Sequence, residues 1–442
     1  MCAAAAIPSD KIDEVRLKAD IVEVVGRRMR LVQKGRDFWG LCPFHGDKDP
    51  SLKVDRARGT WHCFGCGEGG SVFNFVMKDQ GLSFPEAVKE LARLYGVDLP
   101  QPRLDPAARR QLEEKERLLH VLQLAGTFFS RELAAPSGSP AREYLLNNRG
   151  LDLETVKAFG LGFAPPQWEG LGRFLSAQGV AEELGVRAGL LVSRDKSTGS
   201  YDRFRSRVVF PIRDLMGRAI SFGGRIIGPG EPKYLNGPES PLFHKSRTLY
   251  NLDQARPAMR QKNRVLVVEG YFDVITLAAH GFAETVAPLG TALTAEHVRA
   301  LKSQAADIVL IMDGDSAGRR AAERALPIFL AEGVSPRVVL LPGGEDPDTY
   351  VRAQGAAALA EAVDRARPLM ESVLDSLVAA GDLTTPEGKS AVVAAAGEII
   401  KTVGDPITRV GYLERLAGKL ALAPEVVAAR LGLPYAASGA PR

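Results

Sequence analysis

Long apolar runs are missing from this 442-residue chain. No stretch of about 18 apolar residues occurs, so no membrane-spanning helix is expected. The start, Met1-Cys2-Ala3-Ala4-Ala5-Ala6-Ile7-Pro8, has neither a basic leader nor a long apolar core and does not read as a secretion signal. A soluble, cytoplasmic protein with no membrane partner is expected. The phosphate-loop pattern G-x-x-x-x-G-K-[ST] is absent, which argues against a fused helicase motor. There is no internal repeat. Cysteine is scarce, with four in the chain, and three of the four fall in one motif. The net charge is only +4. What remains is ordinary globular material, 45% hydrophobic and 25% charged, long enough for two to four domains.

The small net charge hides a segregation. Residues Tyr201 to Lys262 hold 12 Lys and Arg against 5 Asp and Glu, and residues Glu269 to Asp348 hold 6 against 12. A basic stretch running into an acidic one suits phosphate chemistry, in which cations hold a polyanion and carboxylates hold a metal.

The acids fall in three clusters. Glu269 stands in Val267-Val268-Glu269-Gly270-Tyr271-Phe272-Asp273, Asp313 and Asp315 in Ile311-Met312-Asp313-Gly314-Asp315, and Asp346 and Asp348 in Glu345-Asp346-Pro347-Asp348. The first two follow apolar runs, 265–268 and 308–312, that read as buried strands; the third follows Val338 to Leu341 and a Pro-Gly-Gly turn. Carboxyl ends of neighbouring parallel strands face one crevice. Two like charges at about 4 Å repel by roughly 4 kcal/mol at an effective dielectric near 20, so stability gives no reason to gather them. A hard divalent cation does, and an all-oxygen set fits Mg²⁺ or Mn²⁺. Each piece also has a plainer reading: Asp315 and Asp348 could each cap a following helix. Asp273, one turn into a helix, is expected in support.

At the amino-terminal end, Cys42-Pro43-Phe44-His45 and Cys63-Phe64-Gly65-Cys66 are separated by 17 residues. Two close pairs of thiolate and imidazole ligands make a tetrahedral zinc set, and four protein ligands leave no open position, so one structural zinc per chain is expected. His62 competes, but strand alternation points it away from Cys63. Short alternating strands surround the ligands, and Arg27, Arg28, Arg30, Lys34 and Arg36 carry no acid among them. Basic groups with aromatics on a small sheet suit single-stranded nucleic acid.

The expected architecture is multidomain α+β. A zinc-ribbon β domain covers 1–97 and a Pro-rich linker 98–110. A basic mixed α/β part covers 111–262, with a long helix near 107–133 and a hairpin pairing Arg207–Pro211 with Ala219–Phe222. An alternating strand–helix region with a parallel sheet covers 263–353, a helical subdomain 354–433 and a disordered tail 434–442. Arg203, Arg205 and Arg207 alternate, which predicts three cations on one strand face awaiting an anion.

These motifs together resemble a known family. The zinc pattern is similar to the amino-terminal zinc domain of bacterial replicative DNA primases, and the three acidic motifs resemble the TOPRIM domain shared by primases and topoisomerases. Arg203-Phe204-Arg205-Ser206-Arg207, Ser221-Phe222-Gly223-Gly224-Arg225, Pro232-Lys233-Tyr234-Leu235-Asn236 and Phe243-His244-Lys245 also look like primase. The resemblance implies RNA-primer synthesis on single-stranded DNA by metal-dependent nucleotidyl transfer from NTPs. It implies magnesium on Glu269, Asp313 and Asp315, supported by Asp273, Asp346 and Asp348. It implies a nucleotide and template groove of Arg149, Arg203, Arg207, Arg225, Lys233, Tyr234 and Lys245, with the nascent RNA primer as product. Lys53 and Trp61 on the zinc sheet are expected to read the start site. Family members dock on the replicative helicase through a further carboxy-terminal domain, which is expected to be absent here. A topoisomerase would need a nucleophilic tyrosine that no segment supplies, and a non-catalytic single-strand binder would incorporate no NTP.

Overall fold

The computed structural model describes residues 7–47, 49–80, 82–99, 105–194 and 198–435. Cys2, residues 100–104 of the expected linker and residues 436–442 of the expected tail lie outside the described residues. The chain divides into two compact units, Met1–Gln111 and Leu112–Arg442.

The first unit begins with α1 (Ser9–Lys18) and α2 (Ile21–Gly26) and then builds one antiparallel sheet. Its strands β1 (Val32–Lys34), β2 (Asp37–Gly40), β3 (Leu52–Asp55), β4 (Thr60–Cys63) and β5 (Gly69–Ser71) lie in sequence order. Alternation is strict where it matters: Leu52, Val54, Trp61 and Cys63 point inward, while Lys53, Thr60 and His62 point out. The inward face packs on Phe73, Phe75 and Val76 of α3 (Val72–Gln80) and on Val88 and Leu91 of α4 (Phe84–Leu94). Glu86 fixes the start of α4 by accepting from the Ser83 amide at 2.7 Å.

Helix α5 (Pro106–Ala134) crosses the division in sequence. In the second unit, α6 (Ser139–Glu143) runs into a π-helical turn, Tyr144–Asn148, that ends at Arg149, followed by α7 (Leu153–Phe159). Strand β6 (Gly162–Ala164), helices α8 (Gly170–Ala177) and α9 (Glu182–Arg187), and the hairpin β7 (Leu191–Ser193) and β8 (Ser200–Asp202) come next. The expected hairpin is present as β9 (Arg207–Arg213) and β10 (Ala219–Ile226), and with β11 (Tyr234–Asn236) the sheet order is β11-β10-β9-β6.

After α10 (Leu252–Lys262) the expected parallel sheet begins. Strands β12 (Arg264–Val267), β13 (Thr285–Val286), β14 (Asp307–Met312) and β15 (Arg337–Leu340) run parallel, and β16 (Arg367–Pro368) adds antiparallel to the edge, in the order β13-β12-β14-β15-β16. The strands read as unbroken apolar runs because both faces are covered. Val265, Val267, Ile308, Leu310 and Met312 pack with α12 (Ala295–Lys302) and α13 (Ser316–Ala331). Leu266, Val309 and Ile311 pack with α11 (Tyr271–Ala279) and α14 (Pro347–Asp364). Helices α15 (Leu369–Ala380), α16 (Pro386–Ile400), α17 (Pro406–Leu420) and α18 (Pro424–Leu431) continue the first of these cores through Val373, Val393, Leu416 and Val427. No described helix is long and apolar enough to cross a membrane.

The chain runs from β12 to β13 on one side and then returns to β14 on the other. The order reverses between β12 and β14, and the crevice outside their carboxyl ends is where open α/β sheets bind ligands.

Candidate metal centres and nucleic-acid groove

In the first unit, the ligand atoms of Cys42, His45, Cys63 and Cys66 all lie within 4.8 Å of one another. Cys42 Sγ and Cys66 Sγ are 4.0 Å apart, and Cys63 Sγ is 3.9 Å from His45 Nδ1. Tetrahedral zinc with bonds of about 2.3 Å asks for sulfur pairs about 3.8 Å apart, so the set fits the ion. Asp47 accepts from the Cys42 amide at 2.8 Å and from Ser51 Oγ at 2.6 Å, and its other oxygen lies 3.7 Å from His45 Nε2. A carboxylate on the far ring nitrogen is the usual device for orienting a ligating histidine. Gly65 has to lack a side chain, since a Cβ there would meet His45 Nε2 at 2.6 Å. Burial pushes the Cys42 thiol up to about 12, a cost that a bound cation reverses. At Cys63 burial acts upward too, but the Ser51 hydroxyl and the amides of Cys66 and Gly65 bring it down to about 7.

His62 faces away from the ligands, on the exposed side of β4. Trp61 does not face out. It is 3% exposed, packs against Phe44 and Phe75 at 5.3 and 5.6 Å, and donates to the Ser71 carbonyl at 3.2 Å. The expectation that Trp61 reads a template is therefore corrected: two positions before the ligand Cys63 on one strand, it shares the inward face. The outward-facing aromatics are others, Trp39 half-buried and Phe64 exposed. Trp39 stacks on Phe64 at 5.9 Å, Phe64 is 66% exposed and meets His62 edge-on at 4.8 Å, and Lys34 lies over Trp39. Lys53 stands between Trp39 and His62 across the strands and pairs with Asp37 at 2.9 Å.

In the second unit, Glu269 follows β12, Asp313 follows β14, and Asp346 ends the loop after β15. Burial and neighbouring carboxylates act together on this row. Asp313 is raised to about 6, first by burial, then by Asp346 and Asp315. Asp273, in the first turn of α11, is raised to about 7, first by burial, then by Asp346 and Asp313. Glu269 opens to solvent at the mouth of the crevice, yet the crevice walls raise it, and Asp313 and Asp315 add to that. Asp313 Oδ1 is buried and has no hydrogen-bond partner. A shielded, unpartnered carboxylate oxygen among repelling neighbours fits an oxygen-seeking cation. Gly314 admits no side chain, since its Cβ would meet the Leu341 carbonyl at 2.2 Å, so this turn lies flat against the β15 loop. Among the described residues, only the cysteine–histidine set closes to metal-holding distance, and the acidic row stays open.

The helix-cap readings divide. Asp315 does cap α13, accepting from Ala317 and Gly318 amides at 2.8 Å, which holds it below the usual carboxylate range. The cap of α14 is Asp346, accepting from Thr349 at 2.7 Å, and not Asp348. Asp348 is 1% exposed, ion-paired with Arg149 and 3.9 Å from Arg352, and accepts from Thr276 Oγ1 at 2.9 Å. Its expected place among the metal carboxylates is corrected: its charge is already answered by arginine, and Arg149 is correspondingly less free for an external anion.

The arginine row is also different from expectation. Strand β8 ends at Asp202 and β9 begins at Arg207, with Ser206 at φ 51° between them, so 203, 205 and 207 do not share a strand face. Arg207 is 5% exposed and donates to the carbonyls of Gly224, Pro232 and Lys233. It is a clamp under the β10–β11 loop, not a surface cation. Arg205 lies 4.0 Å over Trp168 and 5.1 Å over Tyr201. Burial lowers Arg203, whose Nε finds no partner. Arg225, with its Nε likewise unpartnered, lies over Tyr234 at 5.2 Å and Tyr144 at 5.9 Å, and Arg149 lies over Phe272 at 4.2 Å. Tyr234 is raised to about 12 by burial, against the pull of Arg149 and Arg225, and it feels Asp273 as well. The cation–aromatic cluster thus reaches the acidic row. Lys233 is exposed and Lys245 half-buried, and neither side chain forms an ion pair among the described residues. The sequence reading missed Tyr144, Trp168 and Phe272; Trp168, 57% exposed behind Pro165-Pro166, was the visible signal.

Comparison with known proteins matches four family models to the chain. CHC2 zinc finger covers 7–105, the N-terminal domain of the DNA primase catalytic core 128–256, Toprim-like 266–351, and the DnaB-helicase binding domain of primase 373–425. The DNA primase of Escherichia coli K12 is 38% identical over 440 residues, 99% of this chain and 75% of that one. The Aquifex aeolicus primase zinc-binding and RNA polymerase domains are 32% identical, with a TM-score of 0.61, over 94% of this chain and 98% of that one. A DnaG primase catalytic domain bound to ssDNA is 40% identical, with a TM-score of 0.64, over 71% of this chain and 99% of that one. The match over 373–425 corrects the expectation that the helicase-docking segment is missing. In sequence, helices α15 to α17 look like helices that merely close the polymerase domain, because an amphipathic helix that covers a sheet carries the same pattern as one that also meets a partner.

Proposed function

The chain belongs to the bacterial DNA primases, RNA polymerases of the nucleotidyltransferase class, and from that premise we propose how its residues divide the work. Glu269, Asp313 and Asp315 hold the catalytic divalent cation, with Asp346 and Asp273 beside them. The observation that carries this is the unpartnered, buried Asp313 Oδ1 in a row of mutually repelling carboxylates at the switch point of the sheet. The donors are all oxygen, which suits Mg²⁺ or Mn²⁺. When bound, such an ion acidifies the attacking 3′-hydroxyl and screens charge on the phosphoryl group. Lys233, Lys245 and Arg225 hold the triphosphate, so that the hydroxyl meets the α-phosphate and pyrophosphate leaves. Tyr234 and Tyr144 keep Arg225 in place by stacking. Arg205, Trp168 and Tyr201 form a track on which template bases stack, and Arg203 adds charge beside it.

The zinc unit, 1–97, reads the start site through the outward face of its sheet, with Lys53 joined by Trp39, His62 and Phe64 in place of Trp61. Residues 111–262 carry the basic groove, 263–353 the metal site, and 354–433 the helices on which a replicative helicase docks. Ile407 and Val426, 82% and 58% exposed, are the apolar side chains offered there. We place the protein in the cytoplasm, at the replication fork.

The test is incorporation of labelled ribonucleotides on single-stranded DNA. Asp313→Asn should cut primer synthesis by at least about a hundredfold, a few kcal/mol of lost transition-state stabilisation, while template binding stays near wild type. Near-normal synthesis by this variant at ordinary magnesium would remove the metal-site assignment.

A further inference from the structure

The loop between β13 and α12, residues 287–294, lines the crevice beside Glu269 with Pro288, Gly290, Thr291 and Leu293. It is tied to the basic segment at three points. Tyr250 and Ala287 exchange backbone bonds, with Tyr250 N to Ala287 O at 2.8 Å. Asn236, two residues after Tyr234, donates to the Leu289 carbonyl at 3.0 Å. Thr294 Oγ1 donates to the Ser246 carbonyl, in the 3₁₀ turn Lys245–Arg247.

The third tie is built differently from the other two. Thr294 caps α12, and its hydroxyl also accepts from the His297 amide at 3.2 Å. His297 answers by accepting at Nδ1 from the Thr294 amide at 3.3 Å, which leaves the proton on Nε2. His297 is fully buried. The backbone carbonyls of Lys245 and Thr248 act on the ring, and its buried Nε2 has no hydrogen-bond partner. Glu239 accepts from the Lys245 amide at 2.9 Å. The turn is therefore held by Glu239 at the Lys245 amide and by Thr294 at the Ser246 carbonyl. A capping box alone needs neither a buried imidazole nor a bond to a turn nearly fifty residues away in sequence.

We propose that Thr294 and His297 are positioning residues that hold the Lys245 turn at a fixed distance from the carboxylate crevice, so that Lys245 meets the phosphates of a nucleotide bound there. The proposal rests on the reading of Lys245 as a triphosphate contact. A displaced loop would leave the cation present but misplaced, which affects nucleotide affinity more than the chemical step.

The experiment measures NTP binding at equilibrium with a fluorescent ribonucleotide and magnesium, together with KM and kcat for primer synthesis. Lys245→Ala, Thr294→Ala, Thr294→Ser and His297→Asn are compared with wild type. Thr294→Ala should raise Kd and KM by about three- to tenfold, the loss of one hydrogen bond of ordinary strength, and His297→Asn, which removes the buried ring behind that cap, should raise them in the same direction, with kcat and template affinity nearly unchanged in both. Thr294→Ser, which keeps the hydroxyl, should restore wild-type behaviour. In the Lys245→Ala background, Thr294→Ala should add nothing, because both act through one cation. Wild-type NTP affinity in Thr294→Ala and His297→Asn beside a weakened Lys245→Ala overturns the latch and leaves the Lys245 reading standing. So does an additive double variant. An unaffected Lys245→Ala overturns the Lys245 reading itself and takes the latch with it. A fall in kcat or thermal stability that Thr294→Ser does not rescue marks a merely structural role and also overturns the proposal.

Discussion

The two metal centres of this chain are opposites in construction. At the zinc site four ligand atoms converge within 4.8 Å, and a carboxylate behind them, Asp47, accepts from the Cys42 amide and lies 3.7 Å from His45 Nε2. At the Toprim crevice the carboxylates repel one another, one oxygen is unpartnered, and the row stays open. A closed set uses all of an ion's positions for protein and turns binding energy into folding energy. An open set of a few carboxylates leaves positions for water and phosphate, which is what a divalent ion carrying a nucleotide needs. The same local device, a tight glycine turn, serves both: Gly65 brings Cys66 round beside His45, and Gly314 lays Asp313 and Asp315 against the β15 loop.

The contrast breaks most visibly at the zinc. Cys63→Ser, or removal of zinc by a strong chelator, should melt the sheet of the first unit, since structural zinc supplies roughly 10–16 kcal/mol of apparent binding energy in small sites. Limited proteolysis should then cut within 7–95 while the second unit stays resistant. Chelating magnesium should change neither pattern. Equal protease resistance with and without zinc would mean that the sheet stands on its apolar core alone.

A smaller effect sharpens the boundary of the acidic row. Asp348→Ala should cost about 3 kcal/mol of stability in a urea melt of the full chain, because it strands Arg149 in a half-buried position. Its magnesium dependence of synthesis should stay that of wild type. A shifted magnesium requirement with little loss of stability would return Asp348 to the metal set.

That pair also shows what could be read from sequence. The strands, the zinc spacing and the convergence of Glu269 with Asp313 follow from local periodicity and the rule for parallel strand ends, and both survive folding. Asp346 against Asp348 was legible in principle: a cap followed directly by proline at the first helical position is the favoured start, and Pro347 marks it. The fate of Arg207 was not legible. It depends on the positive φ of Ser206 and on three carbonyls brought in by β10 and β11, none of which leaves a mark near residue 207. Helices 373–425 carry only an amphipathic pattern, which says that one face is buried and is silent about a partner for the other.

The smallest expected effect concerns what the zinc sheet is for. Strand parity settles which aromatics are available: Trp61 and Cys63 lie on one face of β4, so the face that holds the metal cannot hold a base, and His62 lies on the other with Lys53 and Trp39 beside it. Trp39→Ala and Phe64→Ala should therefore each weaken single-stranded DNA binding by about 1–3 kcal/mol, the worth of one stacked base, and change which template positions start a primer. Zinc content and melting temperature should stay at wild-type values, because both side chains are on the solvent side of the sheet. Trp61→Ala should do the reverse, costing about 3–5 kcal/mol of stability as a large buried side chain is lost, with any change in template choice following from unfolding. The two classes separate in one titration of binding against urea. If Trp39→Ala and Phe64→Ala bind and initiate as wild type does, the outward face is only solvated, and the zinc then serves the fold of a unit whose contact with template lies elsewhere.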